Sequence, residues 1–311
     1  MGTLRRQRVG YDCIVLVKQV PDTKRITGKV MNDDGTVNRA ALPAIFNPED
    51  LNALELALQI KDRFGGTVTA VTMGLPAAAN TLREALFRGA DRAILITDSK
   101  AAASDTLATS YILSCAVRKL AYDIVLCGRQ AIDGDTAQVG PQIAEKLGIP
   151  QVTYVERLDD LAGRTITLRR SIGNGWQLVR TQVPVLLTVV ESANTPRVPA
   201  AKKMMKHKNA KAPIEIEKQL RAENPQFGEI QIKSRLEQAV HPLQQRGSLI
   251  HQWDLADVGA DLAWCGRSGS PTKVHRIQSV VLAAKESKGV EPTDDGIAGM
   301  IGELIEDKII A

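Results

Sequence analysis

The first 190 residues alternate apolar runs with amphipathic stretches at a regular interval, and that rhythm leaves few folds open. Residues 12–20, DCIVLVKQV, form a nearly continuous apolar run, as expected of a strand covered on both faces. After a polar stretch to about Pro43 comes Asn47-Pro48-Glu49-Asp50. Asn47 suits a helix N-cap, Pro48 the first helical position, and the two acids the positive end of the helix dipole. Leu51, Leu54 and Leu58 then recur on one face until Gly65-Gly66 stops the helix. The pattern repeats as a strand at 67–73 with a helix at 77–88 (Leu82, Ala85 and Leu86 inward), then a strand at 93–97 with a helix at 104–120. A strand at 123–127 leads through a Gly- and Asp-rich loop to a helix at 136–147, ended by Gly148 and Pro150. Units of this length predict right-handed crossovers and an α/β fold, a doubly wound, mostly parallel sheet with helices on both faces. TITLRRSI, Gly173-Asn174-Gly175 and WQLVR predict a hairpin, since Asn-Gly suits a type I′ turn. VPVLLTVV, 183–190, supplies one more buried strand.

After Glu191 the character changes. Lys202, Lys203, Lys206, Lys208, Lys211 and Lys218 crowd a stretch with little apolar periodicity. Trp253, Trp264 and Gly266–Gly269 are isolated features, and SVVLAA (279–284) with an amphipathic helix near 294–310 closes the chain. The expected organisation is an N-terminal extension at 1–11, a domain at 12–191 and an extended C-terminal arm at 192–311. So little independent core suggests that the arm wraps a partner, with Ile297, Ile301, Leu304 and Ile305 forming the buried side of the last helix.

Composition removes several classes of function. The formal net charge of +5, from 40 Lys+Arg against 35 Asp+Glu, needs no nucleic acid to explain it, and aromatic residues at 4% are too few for base stacking. No apolar run approaches the ~18 residues of a membrane span. The opening MGTLRRQRVG is basic but lacks the apolar core of a secretion signal, so a cytoplasmic location is expected. Cys13, Cys115, Cys127 and Cys265 form no CxxC pair, and His207, His241, His251 and His275 are scattered. These spacings suit neither a metal site nor a hydrolytic triad, and Cys13 and Cys127 in apolar runs are expected to be buried thiols.

In an open parallel sheet, ligands bind beyond the carboxyl ends of the strands where the strand order reverses. The informative loop therefore follows strand 123–127: Arg129, Gln130, Ala131, Ile132, Asp133, Gly134, Asp135, Thr136, Ala137, Gln138, Val139 and Gly140. Amides at the next helix start would point at a phosphate. Gly134 and Gly140 would let backbone approach a ligand, and Arg129 and Gln130 would offer donors. Asp135 or Thr136 also suits the helix cap. Neither GxGxxG nor GxxxxGK[ST] is present. The residues alone leave two classes, a nucleotide-using enzyme and a cofactor-holding redox module.

VLVKQVPD (15–22), FNPEDLNALELAL (46–58), GADRAILI (89–96), CGRQAIDGDTAQVGP (127–141) and TPRVPAAKKMMK (195–206) stand in register, and together they resemble the electron-transfer flavoprotein β subunit. The resemblance implies a nucleotide- or flavin-binding domain followed by an arm that embraces the α subunit. It implies a pocket formed by Leu16, Asn47, Pro48, Glu49, Asp50, Met73 and the loop Arg129–Gly140; Asn47 retains the alternative of a cap and Met73 that of core. AIDGDTAQVGPQIAEKLGIPQ with SDTLATSYIL (104–113) is similar to the electron-bifurcating branch, which implies FAD in the pocket where housekeeping members hold AMP. The chain would then not be an enzyme alone. Its FAD would accept hydride from NADH, with one electron passing to ferredoxin or flavodoxin. The other would pass through the α-subunit FAD to an acyl-CoA dehydrogenase type partner. The alternatives are a housekeeping carrier with AMP and a quinone-linked relative. An ATP-pyrophosphate-cleaving enzyme is disfavoured, because no Ser-Gly-Gly-x-Asp-Ser loop follows strand 12–20. The TPRVPAAKKMMK stretch corresponds to the segment that docks dehydrogenases, with Ala201 where a Leu is typical.

Overall fold

In a computed structural model the structure describes residues 10–22, 43–272 and 289–306. The extension at 1–9, SVVLAA at 279–284 and the last residues of the expected terminal helix lie outside them. Two units are present: one holds the described residues to 272, the other residues 289–306.

The larger unit is built on strands β1 (Cys13–Leu16), β4 (Val68–Met73), β5 (Arg92–Ile96), β6 (Ile124–Gly128) and β10 (Val185–Val189). They are parallel to one another and almost wholly buried. Helices α1 (Pro48–Phe64) and α2 (Ala79–Arg88) place Leu54, Leu58, Leu82 and Leu86 against one face, where Cys13 and Val15 of β1 point. Helices α3 (Thr106–Arg118) and α4 (Val139–Leu147) bring Ile112 and Ile143 to the other face, against Ile14 and Leu16. Alternate side chains of one strand thus feed two cores, and both cores need a helical layer. The expected doubly wound, mostly parallel α/β sheet is what forms.

The run at 12–20 divides in two. β1 ends at Leu16, and β2 (Gln19–Pro21) pairs antiparallel with β3 (Ala44–Phe46) as a separate ribbon. Between them the Lys18 amide donates to Asp50 Oδ2 (2.8 Å), so the chain leaves the sheet there.

Among the described residues the main sheet has nine strands, and with β7 (Gln151–Ala162), β8 (Thr165–Ser171), β9 (Trp176–Gln182) and β11 (His251–Trp253) the order is β11-β5-β4-β1-β6-β10-β7-β8-β9. The hairpin is formed as expected by β8 (Thr165–Ser171) and β9 (Trp176–Gln182). Two strands of this sheet, like β3 of the ribbon, carry no strand signature in the sequence. β7 (Gln151–Ala162) runs parallel to β10 and antiparallel to β8. Its register shifts against β8 between Val155 and Arg157 and between Leu158 and Asp160. The inward residues are consequently Val152, Val155, Leu158 and Leu161, three apart. A bulge adds one residue to each interval, which erases the two-residue alternation that marks a strand. β11 (His251–Trp253) pairs parallel with β5 and closes the opposite edge.

That edge corrects the view that the chain after Glu191 lacks core. Helices α5 (Ala201–His207), α6 (Pro213–Glu223) and α7 (Glu229–Gln245) precede β11, and α5 lies against α2. Ala210, Ala212 and Ile250 join the first core. Leu255, Val258 and Cys265 join the second, ahead of the short helix α8 (Gly266–Gly269). Arg83 holds Glu215 with both guanidinium nitrogens, at 2.9 and 3.0 Å. The lysine-rich stretch is therefore helical and anchored, and residues 201–272 belong to the larger unit.

In the smaller unit, α9 (Asp294–Glu306) has Ile297, Ile301 and Ile305 exposed and Leu304 half-buried. No helix among the described residues is long and apolar enough to cross a membrane.

Candidate functional site

β1 pairs with β4 on one side and β6 on the other, so the strand order reverses between β1 and β6. The loops leaving these two strands form the lips of the crevice, and the first turn of α1 lies beneath both. Asp50 accepts from the Gly128 amide through Oδ1 (2.8 Å) and from the Lys18 amide through Oδ2 (2.8 Å), tying the two lips together. Glu49 Oε2 accepts from the Gln130 amide at 2.9 Å. Asn47 donates from Nδ2 to the Gln130 carbonyl (2.9 Å) and accepts at Oδ1 from the Ile132 amide (3.2 Å). Its backbone begins the helix, with the Leu51 amide donating to its carbonyl at 3.2 Å. Its side chain makes no capping bond, so the expected cap is spent on the neighbouring loop instead.

Asp50 is 6% exposed. Burial pushes its carboxyl up to about 7, against the opposing pull of the Gly128 and Lys18 amides, the Asn47 side chain and the Lys18 charge. Cys127, beside Asp50 and Glu49, is raised still further by burial, which leaves it an inert thiol.

The loop turns at Ala131, whose carbonyl accepts from Asp135 (3.0 Å) and Gly134 (3.3 Å). Asp135 and Ala137 have φ of 48° and 53°. A right-handed helix tolerates neither, so α4 starts at Val139 rather than Thr136, and neither Asp135 nor Thr136 caps it. The cap position is Gln138, which makes no side-chain cap. Its Oε1 accepts instead from Thr106 Oγ1 of α3 at 3.0 Å. Among the described residues the Val139 and Gly140 amides have no acceptor, as first-turn amides of a helix do not.

The glycines divide sharply. A Cβ on Gly140 would meet Cys127 Sγ at 2.8 Å and Thr188 Cγ2 at 2.9 Å, so the α-carbon of Gly140 is taken up by the packing of α4 on the sheet. A Cβ on Gly134 would meet nothing within 4 Å, and Gly134, Asp135 and Thr136 are exposed. Gly128, where the loop begins, is the tightest of the three: its Cβ would stand 2.6 Å from Asp50 Oδ1 and 2.8 Å from the backbone of Glu49 and Asp50.

Asn47, Glu49, Asp50 and the loop's first half are thus brought together directly. Pro48 occupies the first position of α1 and is half-buried. Leu16 and Met73 end the neighbouring strands β1 and β4, and both pack into the second core. Arg129 turns away from the rest of the loop. Its Nη2 pairs with Glu49 Oε1 at 2.9 Å, and its guanidinium lies 5.6 Å from the Tyr154 ring centroid. There it lines a cleft of about 550 Å³ with Tyr154, Ser171, Gly173, Val190 and Glu191. Gln130 likewise reaches its own loop, donating to Asp135 Oδ1 at 3.1 Å.

The segment at 195–206 is held at one end by Arg197. Its Nε donates to Glu55 Oε2 at 2.8 Å and its Nη2 to Asp62 Oδ2 at 2.9 Å. Val198, Met204 and Met205 are left exposed.

Residues 34–219 match the family model described as electron transfer flavoprotein domain. The chain belongs to the electron transfer flavoprotein family. It is 38% identical over 297 residues to the electron transfer flavoprotein subunit beta of Clostridium acetobutylicum, a match covering 96% of this chain and 99% of that one. To the subunit of the same name from Megasphaera elsdenii it is 42% identical over 310 residues, covering 96% and 98%. To the acryloyl-CoA reductase electron transfer subunit gamma of Anaerotignum propionicum it is 50% identical over 181 residues, covering 57% and 66%. The chain is accordingly a β-type electron transfer flavoprotein subunit and functions in electron transfer. An adenosine phosphate is compatible with the crevice of this flavoprotein subunit, where the loop after β6 leads into the first turn of α4 and its two amides without acceptors.

Proposed function

We propose that this subunit holds FAD in the crevice between β1 and β6, and that with an α subunit it bifurcates electrons from NADH. One electron goes to ferredoxin or flavodoxin and the other, through the α subunit, to an acyl-CoA dehydrogenase type partner. The observation that carries the reading is the loop Arg129–Gly140 at the reversal of strand order, with its exposed Gly134 turn and the acceptor-free amides of Val139 and Gly140. Bound there, FAD would supply the acceptance of one hydride, two electrons, and their delivery one at a time.

The chain's own residues hold and orient. The amides of Val139 and Gly140 would take phosphate oxygens, and Thr136, three residues before Val139, is exposed. Asn47, Glu49 and Asp50 do not touch the ligand in this reading; they hold the loop that does. Leu16 and Met73 form the apolar floor at the strand ends. The similarity to an electron transfer subunit of an acryloyl-CoA reductase supports a CoA-linked partner. Exposed Val198, Met204 and Met205 on the Arg197-anchored segment suit its docking. The apolar side of α9 suits the α subunit.

The test is a count of what the purified α/β pair releases on denaturation. Two FAD per pair are expected, and one FAD with one AMP overturns the bifurcating reading. Gly134→Val is expected to empty this subunit of nucleotide while the fold stays intact, because the added side chain enters the open face of the turn. Full nucleotide occupancy in that variant would place the ligand elsewhere.

A further inference from the structure

Lys18 and Asp133 stand on opposite lips of the crevice. Lys18 follows β1, and its backbone is fixed on both sides: its amide donates to Asp50 Oδ2 (2.8 Å), and its carbonyl accepts from the Asn47 amide (3.0 Å). From that fixed base its Nζ reaches across to both oxygens of Asp133, at 2.7 and 2.8 Å. Asp133 lies in the loop after β6, between Ile132, which Asn47 holds, and Gly134, whose face is open. The backbone of the first half of the loop is therefore tethered by the side chains of Asn47, Glu49 and Asp50 at the start of α1. The second half contains two non-glycine residues, Asp135 and Ala137, in left-handed conformation. Such residues persist only where their surroundings hold them.

We infer that the Lys18–Asp133 ion pair is a latch across the mouth of the nucleotide site, and that these two are positioning residues which set how fast a nucleotide enters and leaves. The inference rests on the reading that an adenine nucleotide occupies this crevice. Lys18 is half exposed and Asp133 about a quarter, so the bond is accessible to salt and breaks readily. Its position suits a gate: strong enough to bias the loop towards its strained, closed arrangement, weak enough to open on each binding event. Lys18 would thus act through Asp133 rather than on phosphate, and the phosphate contacts fall to the backbone amides of α4.

The experiment uses the full-length α/β complex freed of its resident nucleotide, with labelled AMP as the probe because AMP and FAD share the adenosine phosphate half. Entry and release rates are measured by stopped-flow mixing and by chase with unlabelled AMP. Lys18→Met and Asp133→Asn are each expected to speed both rates by about two- to five-fold, the range an exposed ion pair supports. The double variant should be no faster than either single one. Lys18→Arg should retain the slow rates, and melting temperatures should not move. Salt should speed release in the native complex and have less effect in Asp133→Asn. If Lys18→Met weakens binding while Asp133→Asn tightens it or leaves it unchanged, Lys18 is a phosphate ligand and the latch is refuted. Unchanged rates in both variants refute it as well. Absence of AMP binding and of any bound adenine nucleotide in the native complex would instead overturn the nucleotide reading, and the latch with it.

Discussion

Replacing Gly128 with Ala asks whether the floor of the crevice is as tight as its geometry states. The new Cβ would lie 2.8 Å from both the Asp50 amide nitrogen and the Glu49 carbonyl carbon, where ordinary contact begins at 3.4 Å. These are backbone atoms of the first turn of α1, so no rotamer change relieves them, and the helix start must retreat by roughly 0.6 Å. That retreat stretches the 2.8 Å bond from the Gly128 amide to Asp50 Oδ1. Overpacking costs about 1–3 kcal/mol. A weakened bond to a buried carboxyl group adds about 1.5–3 kcal/mol. A total near 2.5–6 kcal/mol corresponds to a fall in Tm of about 5–24 °C for a unit of this size. Gly134→Ala is the matched control, since its Cβ meets nothing within 4 Å and its φ lies outside the left-handed region. It should shift Tm by less than about 2 °C. Both melts are recorded without nucleotide, because ligand bound to the folded state raises Tm by itself and a substitution at either glycine can change how much is bound. A Gly128→Ala protein melting within 2 °C of the native one refutes the reasoning. So does a Gly134→Ala protein that loses as much.

Asp50 should make stability depend on pH. Burial raises its carboxyl to about 7 from an ordinary 3.8, so the fold favours the protonated form, and this contribution, whole below pH ~4, is lost as pH rises through 7. Denaturant titrations should show native stability, relative to Asp50→Asn, falling from pH 5 to pH 8; a rise over that range contradicts the burial argument. Arg83→Ala removes the two bonds to Glu215 that pin α6 to α2, both side chains being largely buried. It should cost about 1–3 kcal/mol and speed tryptic cleavage near Lys211, which is expected to be slow in the native chain because that segment is anchored. Equal cleavage rates in the two proteins would mean that the ion pair does not hold α6. Ile301→Asp places a charge on the apolar side of α9 and should reduce co-purification with an α subunit without lowering the Tm of the larger unit; undiminished co-purification removes α9 from that interface.

The parallel α/β sheet could be read from the chain because its evidence is local. DCIVLVKQV, TVTAVTM, DIVLC and VPVLLTVV are each apolar enough to demand cover on both faces, and the leucines of 51–58 declare the helical layer. The loop after β6 stood out too, Gly- and Asp-rich behind a buried strand, and the strand order does reverse beside it. What the side chains do there was decided by residues far apart in the chain. Asn47, Glu49 and Asp50 have the composition of a helix start, and only the arrival of 128–132 alongside turns them into tethers for another loop. Arg129 looks like a phosphate donor until Glu49 and Tyr154 claim it. Strand β7 is invisible to a two-residue period because its bulges are set by the partners β8 and β10. β11 has no apolar signature and is a strand only because the edge of β5 was free to pair. Hydrophobic pattern is a property of a segment and survives in sequence. Hydrogen-bond partners, bulges and edge pairing are properties of two segments, and they exist only once the chain has brought both into place.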